Sequence, residues 1–171
     1  MSNIYSKVFS ELEKLLARKE KEILFAGIGN ILKRDDGVGV YITSRIINRK
    51  NISALTVETS LENYIGKINS LSPDILVLID CVDMKLPPGS FKLLDINQIQ
   101  DLTFNTHNIS LKRMSEFFPM PVYILGIQPE DIHFGENISY IVEEIAEKII
   151  NQINRRRSEE RRVGKECRSR W

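Results

Sequence analysis

Only two cysteines occur in 171 residues, Cys81 and Cys167, so the chain has no disulfide framework and no cysteine-rich metal site. No apolar run approaches the roughly 20 residues that a bilayer crossing requires. Met1 to Glu20 is charged throughout and lacks the apolar centre of a signal peptide. The expectation is a cytoplasmic protein without membrane insertion. Neither charge sign dominates: 24 Lys and Arg stand against 23 Asp and Glu, a net charge of +1. Internal repeats and low-complexity linkers are also missing. What remains, 42% hydrophobic and 27% charged, is ordinary for a globular chain, and its length suits one domain with a real core.

The basic residues are unevenly placed. From Arg157 to Trp171 the chain is highly charged and has neither a helical nor a strand period. The run Arg157 to Cys167 resembles the in-frame translation of a common sequencing-library adapter, so residues 157–171 are expected to be read-through. That tail holds six Lys or Arg and three Glu; without it 18 basic and 20 acidic residues remain, a net charge of −2. A mildly acidic domain gives no reason to expect nucleic acid as a partner. Removing Cys167 with the tail leaves only Cys81.

The stretch from Ile23 to Val40 organises the rest. A short apolar run, Ile23 to Ile28, reads as a buried strand and stops in a glycine turn, Gly27-Ile-Gly29-Asn30. Asp35-Asp36 follow, then an amphipathic segment from about Gly37 to Asn48 with Val38, Tyr41, Ile42, Ile46 and Ile47 as its inward candidates. The local reading of the acidic pair is that one aspartate caps this helix and the other is solvated.

The elements then alternate. Met1 to Lys19 carries Val8, Leu12, Leu15 and Leu16 at helical spacing, an amphipathic helix ahead of the main domain, which spans 21–156. Strands are expected at Glu22–Ile28, Ala54–Glu58, Asp74–Asp80, Phe91–Asp95 and Val122–Ile127, and helices at Leu61–Ser70, Ile109–Phe118 and Glu136–Ile153. Asp74–Asp80 is apolar on both faces, as a central parallel strand requires. The link before Phe91 is too short for a parallel crossover, so that strand is antiparallel or at an edge. The fold class is α/β: a three-layer α/β/α sandwich with a mostly parallel twisted sheet of about five strands.

In such sheets ligands bind beyond the carboxyl ends of the strands. Asp36 follows the first strand, Glu58 ends the second, Asp80 ends the third, and His107 lies in the polar loop Thr103–Asn108. Two carboxylates and an imidazole form an O,O,N set suited to nickel or zinc with coordination positions left open. Each residue alone has a local explanation, such as Asp83 bonding a turn backbone. Cys81, at the end of a buried strand, reads as a small core residue rather than a soft ligand. His133 receives no role, and Ser60 and Ser110 lack a His–acid partner arrangement. A dinucleotide site would need a third glycine where Leu32 stands, and Asp35-Asp36 would repel its pyrophosphate.

Taken together, Gly27-Ile-Gly29-Asn30, Asp35-Asp36-Gly37-Val-Gly39, Asp80-Cys-Val-Asp83-Met84 with Pro88-Gly89, Thr106-His107-Asn108 and Leu125-Gly126-Ile127-Gln128-Pro129 resemble the hydrogenase maturation proteases, in the branch that serves formate-hydrogenlyase and energy-converting hydrogenases. The resemblance runs from about Glu22 to Ile153. It implies an endopeptidase that removes the C-terminal extension of a NiFe-hydrogenase large-subunit precursor, acting as a monomer. It further implies that Asp36, Asp80 and His107 are the catalytic and metal-contacting residues, and that the nickel is carried by the precursor. One place departs from the family pattern: where an aspartate and two glycines are usual after the second strand, this chain has Glu58-Thr59-Ser60. The rival reading keeps the same ligands but makes the protein a nickel chaperone or docking factor.

Overall fold

The computed structural model describes residues 2–98 and 112–155, with side chains for 7–97 and 112–155. His107, its loop and the tail lie outside the described residues. Helix α1 (Ser2–Leu16) places Val8, Leu12 and Leu15 on one buried stripe that packs over the sheet and against the chain's closing helix. Leu12 is fully enclosed, so truncating it to alanine is expected to cost about 2–5 kcal/mol.

Five strands form one sheet: β1 (Ile23–Ile28), β2 (Ile52–Glu58), β3 (Ile75–Cys81), β4 (Phe91–Asp95) and β5 (Val122–Ile127), in the spatial order β2-β1-β3-β5-β4. The first four in that order are parallel; β4 pairs antiparallel with β5 at the edge, as its short approach requires. Strand β1 is buried along its whole length and β3 as far as Asp80, because helices cover both faces. On one side α1, α2 (Val38–Thr43) and the closing helix α4 (Tyr140–Asn154) bury Leu12, Phe25, Ile42, Val77 and Ile149. On the other, α3 (Ile65–Leu71) and the residues flanking 99–111 bury Leu24, Leu76, Leu78, Ile68, Ile96 and Phe118. Each such large side chain contributes about 1.5–3 kcal/mol.

Three helices are shorter than their patterns suggest. Helix α2 ends at Thr43 rather than near Asn48. The chain tightens there into three-residue bonds, Arg45 N–H to Ile42 O and Ile46 N–H to Thr43 O. Asn154 then closes the end, accepting from Ile47 N–H at 2.8 Å and donating to Arg45 O at 2.9 Å. Ile46 is buried, but Ile47 faces solvent, contrary to its reading as an inward residue. The Leu61–Ser70 segment splits into a 3-10 turn, Leu61–Tyr64, and α3. The closing helix starts at Tyr140, not Glu136, for a reason that lies in the site.

The β1/β3 boundary positions that site. The crossover from β1 to β2 runs over one face through α2, and that from β2 to β3 over the other through α3. The strand order therefore switches between β1 and β3, and the carboxyl end of that boundary is where sheets of this kind bind ligands. Helix α2 sits hard against this edge. A Cβ on Gly39 would run into the carbonyl oxygens of Ile28 and Ile79, and one on Gly27 into Gly39 O and the Thr43 hydroxyl. These two glycines serve close helix–strand approach, and the chain turns at Gly29, where φ is +135°.

Candidate active site

The acidic pair lies inside a 3-10 turn, Arg34–Gly37, between β1 and α2. Neither aspartate caps a helix: no side-chain bond caps the turn or α2. The capping expectation is therefore wrong, and the two side chains part company. Asp36 is half-buried, and its Oδ2 accepts the Asn30 N–H at 3.0 Å. Its Oδ1 has no hydrogen-bond donor among the described residues. The Asn30 side chain accepts Leu32 N–H at 2.9 Å, and its carbonyl accepts Lys33 N–H at 3.0 Å, so one asparagine shapes the loop that holds Asp36. A backbone N–H that a bound pyrophosphate would need is thus already occupied by a carboxylate, which argues against the dinucleotide reading.

Asp35 has no exposed surface. Its carboxylate accepts four hydrogen bonds from the segment after β5: Glu130 N–H at 2.8 Å, Asp131 N–H at 2.9 Å, Ser139 N–H at 2.7 Å and the Ser139 hydroxyl at 2.8 Å. A buried charge is tolerated when its lone pairs are all met in this way. Ser139, held extended by Asp35, takes the N-cap position of the closing helix, which is why that helix starts late.

Asp80 ends the buried part of β3 with 2% of its surface exposed, and its Oδ1 accepts the Cys81 N–H at 2.8 Å. It alternates with Leu76 and Leu78, so it belongs to the face that Ile96 and Phe118 cover. Those two residues flank the segment carrying His107. The Cys81 thiol reports how closely the acids gather. Burial first, then the carboxylates of Asp80, Asp36, Asp35 and Asp83, push its pKa far up and hold it neutral. Cys81 packs against the core, in line with its reading as a core residue. Asp36 and Asp80 thus share one end of the sheet. Among the described residues no three of His, Cys, Asp and Glu are grouped to hold a metal ion, and His107 lies outside them.

The other candidates have local partners of their own. Glu58 is exposed with φ +60°, a left-handed conformation that side chains rarely adopt, at a register shift in the β1/β2 pairing; its carbonyl accepts Gly29 N–H at 2.9 Å. Its backbone carbonyl thus holds the turn that leads to Asp36. Asp83 bonds the turn backbone as its local reading has it, accepting Lys85 N–H at 3.1 Å. His133 is exposed and paired with Asp131 at 2.6 Å. The sequence reasoning missed Gln128, which is nearly enclosed. Its Oε1 accepts Met84 N–H at 2.6 Å and Leu86 N–H at 3.3 Å, fixing the loop after β3. Only its place beside Pro129 in a quoted motif signalled it.

Comparison with known proteins converges on one family. The family model for HycI, hydrogenase maturation protease, matches residues 40–156. A Methanocaldococcus jannaschii protein provisionally named a hydrogenase maturation protease is 30% identical over 147 residues, covering 78% of this chain and 86% of that one. The hydrogenase 3 maturation protease of Escherichia coli is 25% identical over 132 residues, covering 74% and 85%. The crystal structure of the NiFe hydrogenase maturation protease HycI from Thermococcus kodakarensis matches with a TM-score of 0.72 and 26% identity, covering 84% of this chain and 96% of that one. With an α/β architecture, acids at its switch point and these matches, the chain belongs to the hydrogenase maturation protease family and is a protease of hydrogenase maturation.

Proposed function

We propose that this protease removes the C-terminal extension of a NiFe-hydrogenase large-subunit precursor after nickel insertion, and that it recognises the nickel held by the precursor. The observation that supports the reading is the placement of Asp36 and Asp80 at the carboxyl ends of the adjacent strands β1 and β3, with Asp36 Oδ1 lacking a donor among the described residues. With His107 they make the O,O,N set that fills open positions on a borderline divalent ion. A finished metal site then serves as the recognition signal. Hydrolysis adds water to the scissile carbonyl, breaks the C–N bond and returns a proton to the leaving amine. Asp36 has the oxygen available to take the proton of the attacking water. The substrate's nickel supplies polarisation of the carbonyl or the water.

The test is a mass shift. Purified protein incubated with nickel-loaded precursor should shorten it, and nickel-free precursor should keep its mass. Asp36→Asn, Asp80→Asn and His107→Ala should each lower processing by about a hundredfold or more while the folded circular-dichroism spectrum persists. Wild-type rates in these variants would remove the assignment. A protein that binds the precursor yet leaves its mass unchanged would be the chaperone or docking factor instead.

A further inference from the structure

Half of the eight large apolar side chains that stand exposed among the described residues sit on two loops beside Asp36. Ile31 and Leu32, 56% and 52% exposed, lie in the loop after β1; Ile132 and Phe134, 53% and 80% exposed, lie in the segment after β5. Ile47, Leu71, Phe117 and Tyr140 lie one each on four other segments. Single exposed apolar residues need no explanation, but a group at the rim of a site does.

The two loops form one body. Arg34 N–H donates to Gly135 O at 2.8 Å, and Gly135 N–H donates to Leu32 O at 3.0 Å, closing a bridge between Lys33 and Gly135. Arg34 Nη1 meets Asp131 Oδ2 at 2.9 Å, and Lys33 Nζ lies 5.9 Å from the centre of the Phe134 ring. Beneath them Asp35 ties the turn to residues 130, 131 and 139. The apolar side chains are therefore held outward by paired backbone rather than carried on a loose loop. Apolar anchors ringed by Lys33, Arg34 and Asp131, fixed before any partner arrives, have the anatomy of a protein-docking surface.

We infer that this paired-loop surface docks the folded body of the hydrogenase precursor. Position decides the occupant: Ile31 and Leu32 are on the same loop as Asp36, so a protein that delivers a peptide bond to Asp36 lies across them. The inference rests on the protease reading and adds to it how a folded protein, rather than a free peptide, is held.

The test uses Leu32→Ser and Phe134→Ser, singly and together, in the full chain, with Ile47→Ser and Leu71→Ser as controls. All four side chains are exposed, so thermal midpoints should stay close to wild type. Direct binding of nickel-loaded precursor by interferometry should weaken about tenfold or more in the double variant, with KM rising in parallel and kcat within about twofold. The controls should match wild type. If wild type cleaves the precursor and the double variant binds and cleaves it with unchanged Kd and KM, the docking inference falls while the protease reading stands. If wild type does not cleave, the protease reading falls, and the binding measurement alone decides the surface. A wild-type dimer in sedimentation that the double variant dissociates would make this face a self-interface and overturn the inference.

Discussion

The loop after β1 carries Asp36, the loop after β3 begins one residue past Asp80, and the segment after β5 holds both loops by opposite means. For the first, the clamp is a buried charge: Asp35 belongs to the loop and gathers four donors from residues 130–139. For the second, the clamp is a neutral amide that belongs to the segment: Gln128 reaches across and accepts from Met84 and Leu86. Neither clamp residue is a candidate ligand, yet one fixes the loop that carries Asp36 and the other the loop that follows Asp80. Reactive groups on loops are only as well placed as their supports, and here one strand end supplies both supports. The difference lies in how each fails. A charge without donors is costly in a dry interior, whereas a lost amide leaves two N–H groups that water can reach.

The largest effect should come from breaking the charged clamp. Asp35→Ala strips the acceptor from three backbone N–H groups and a hydroxyl, and should cost about 3–5 kcal/mol. That is a large share of the roughly 5–15 kcal/mol that a domain commands. Asp35→Asn keeps the volume but turns an amide NH2 toward N–H donors, so its loss should be smaller, about 2–3 kcal/mol. Urea midpoints at constant m-value give both numbers. Equal stability in wild type and Asp35→Ala would show that the four bonds do not hold the loops together.

The neutral clamp should fail more locally. Gln128→Leu keeps the bulk but removes the acceptor for Met84 and Leu86, at about 1–3 kcal/mol. Hydrogen exchange should speed at Met84 and Leu86 and stay unchanged at Glu130 and Asp131, which hang on Asp35. Faster exchange at all four amides would mean the two clamps act as one unit rather than two.

This division was only partly legible in the sequence, and the illegible part is the long-range one. Strand β3 announced itself through the continuous apolar run Ile75–Ile79, and the antiparallel edge strand Phe91–Asp95 through a connection too short for a crossover. Asp36 and Asp80 could be assigned to one edge because strand alternation and right-handed crossovers leave few alternatives. Asp35 could not be read correctly, since its partners Glu130 and Ser139 lie far along the chain and a local capping role accounted for it equally well. The same bond hid the start of the closing helix, where Ile138 continues the apolar period although Ser139 is held extended. Gly27 reads as a turn residue, whereas the structure uses it, with Gly39, for close packing of α2 on β1, a contact visible only in three dimensions. His107 lies outside the described residues, so its convergence rests on the proposal above.

The smallest expected effect sharpens the comparison on the neutral side, through pH. Asp83 sits beside the Gln128 clamp and takes hydrogen bonds from the Lys85 side chain, the Lys85 N–H and Gln128 Nε2. These bonds, the Lys85 side chain foremost, lower its pKa from the ordinary 3.8 to about 2. The folded carboxyl therefore binds a proton less readily than the unfolded one. Its contribution is complete above the unfolded value of 3.8 and disappears as pH falls through about 2. Solvent screens this exposed group, so the contribution is small. The urea midpoint of Asp83→Asn should fall slightly below wild type near neutrality, and the two should converge as pH drops from about 4 to about 2. A gap that persists at the acid end would assign the effect to hydrogen bonds that asparagine does not reproduce, rather than to the charge. Lys85→Met then isolates the charge, because it removes the cation and leaves the Lys85 N–H and Gln128 bonds in place.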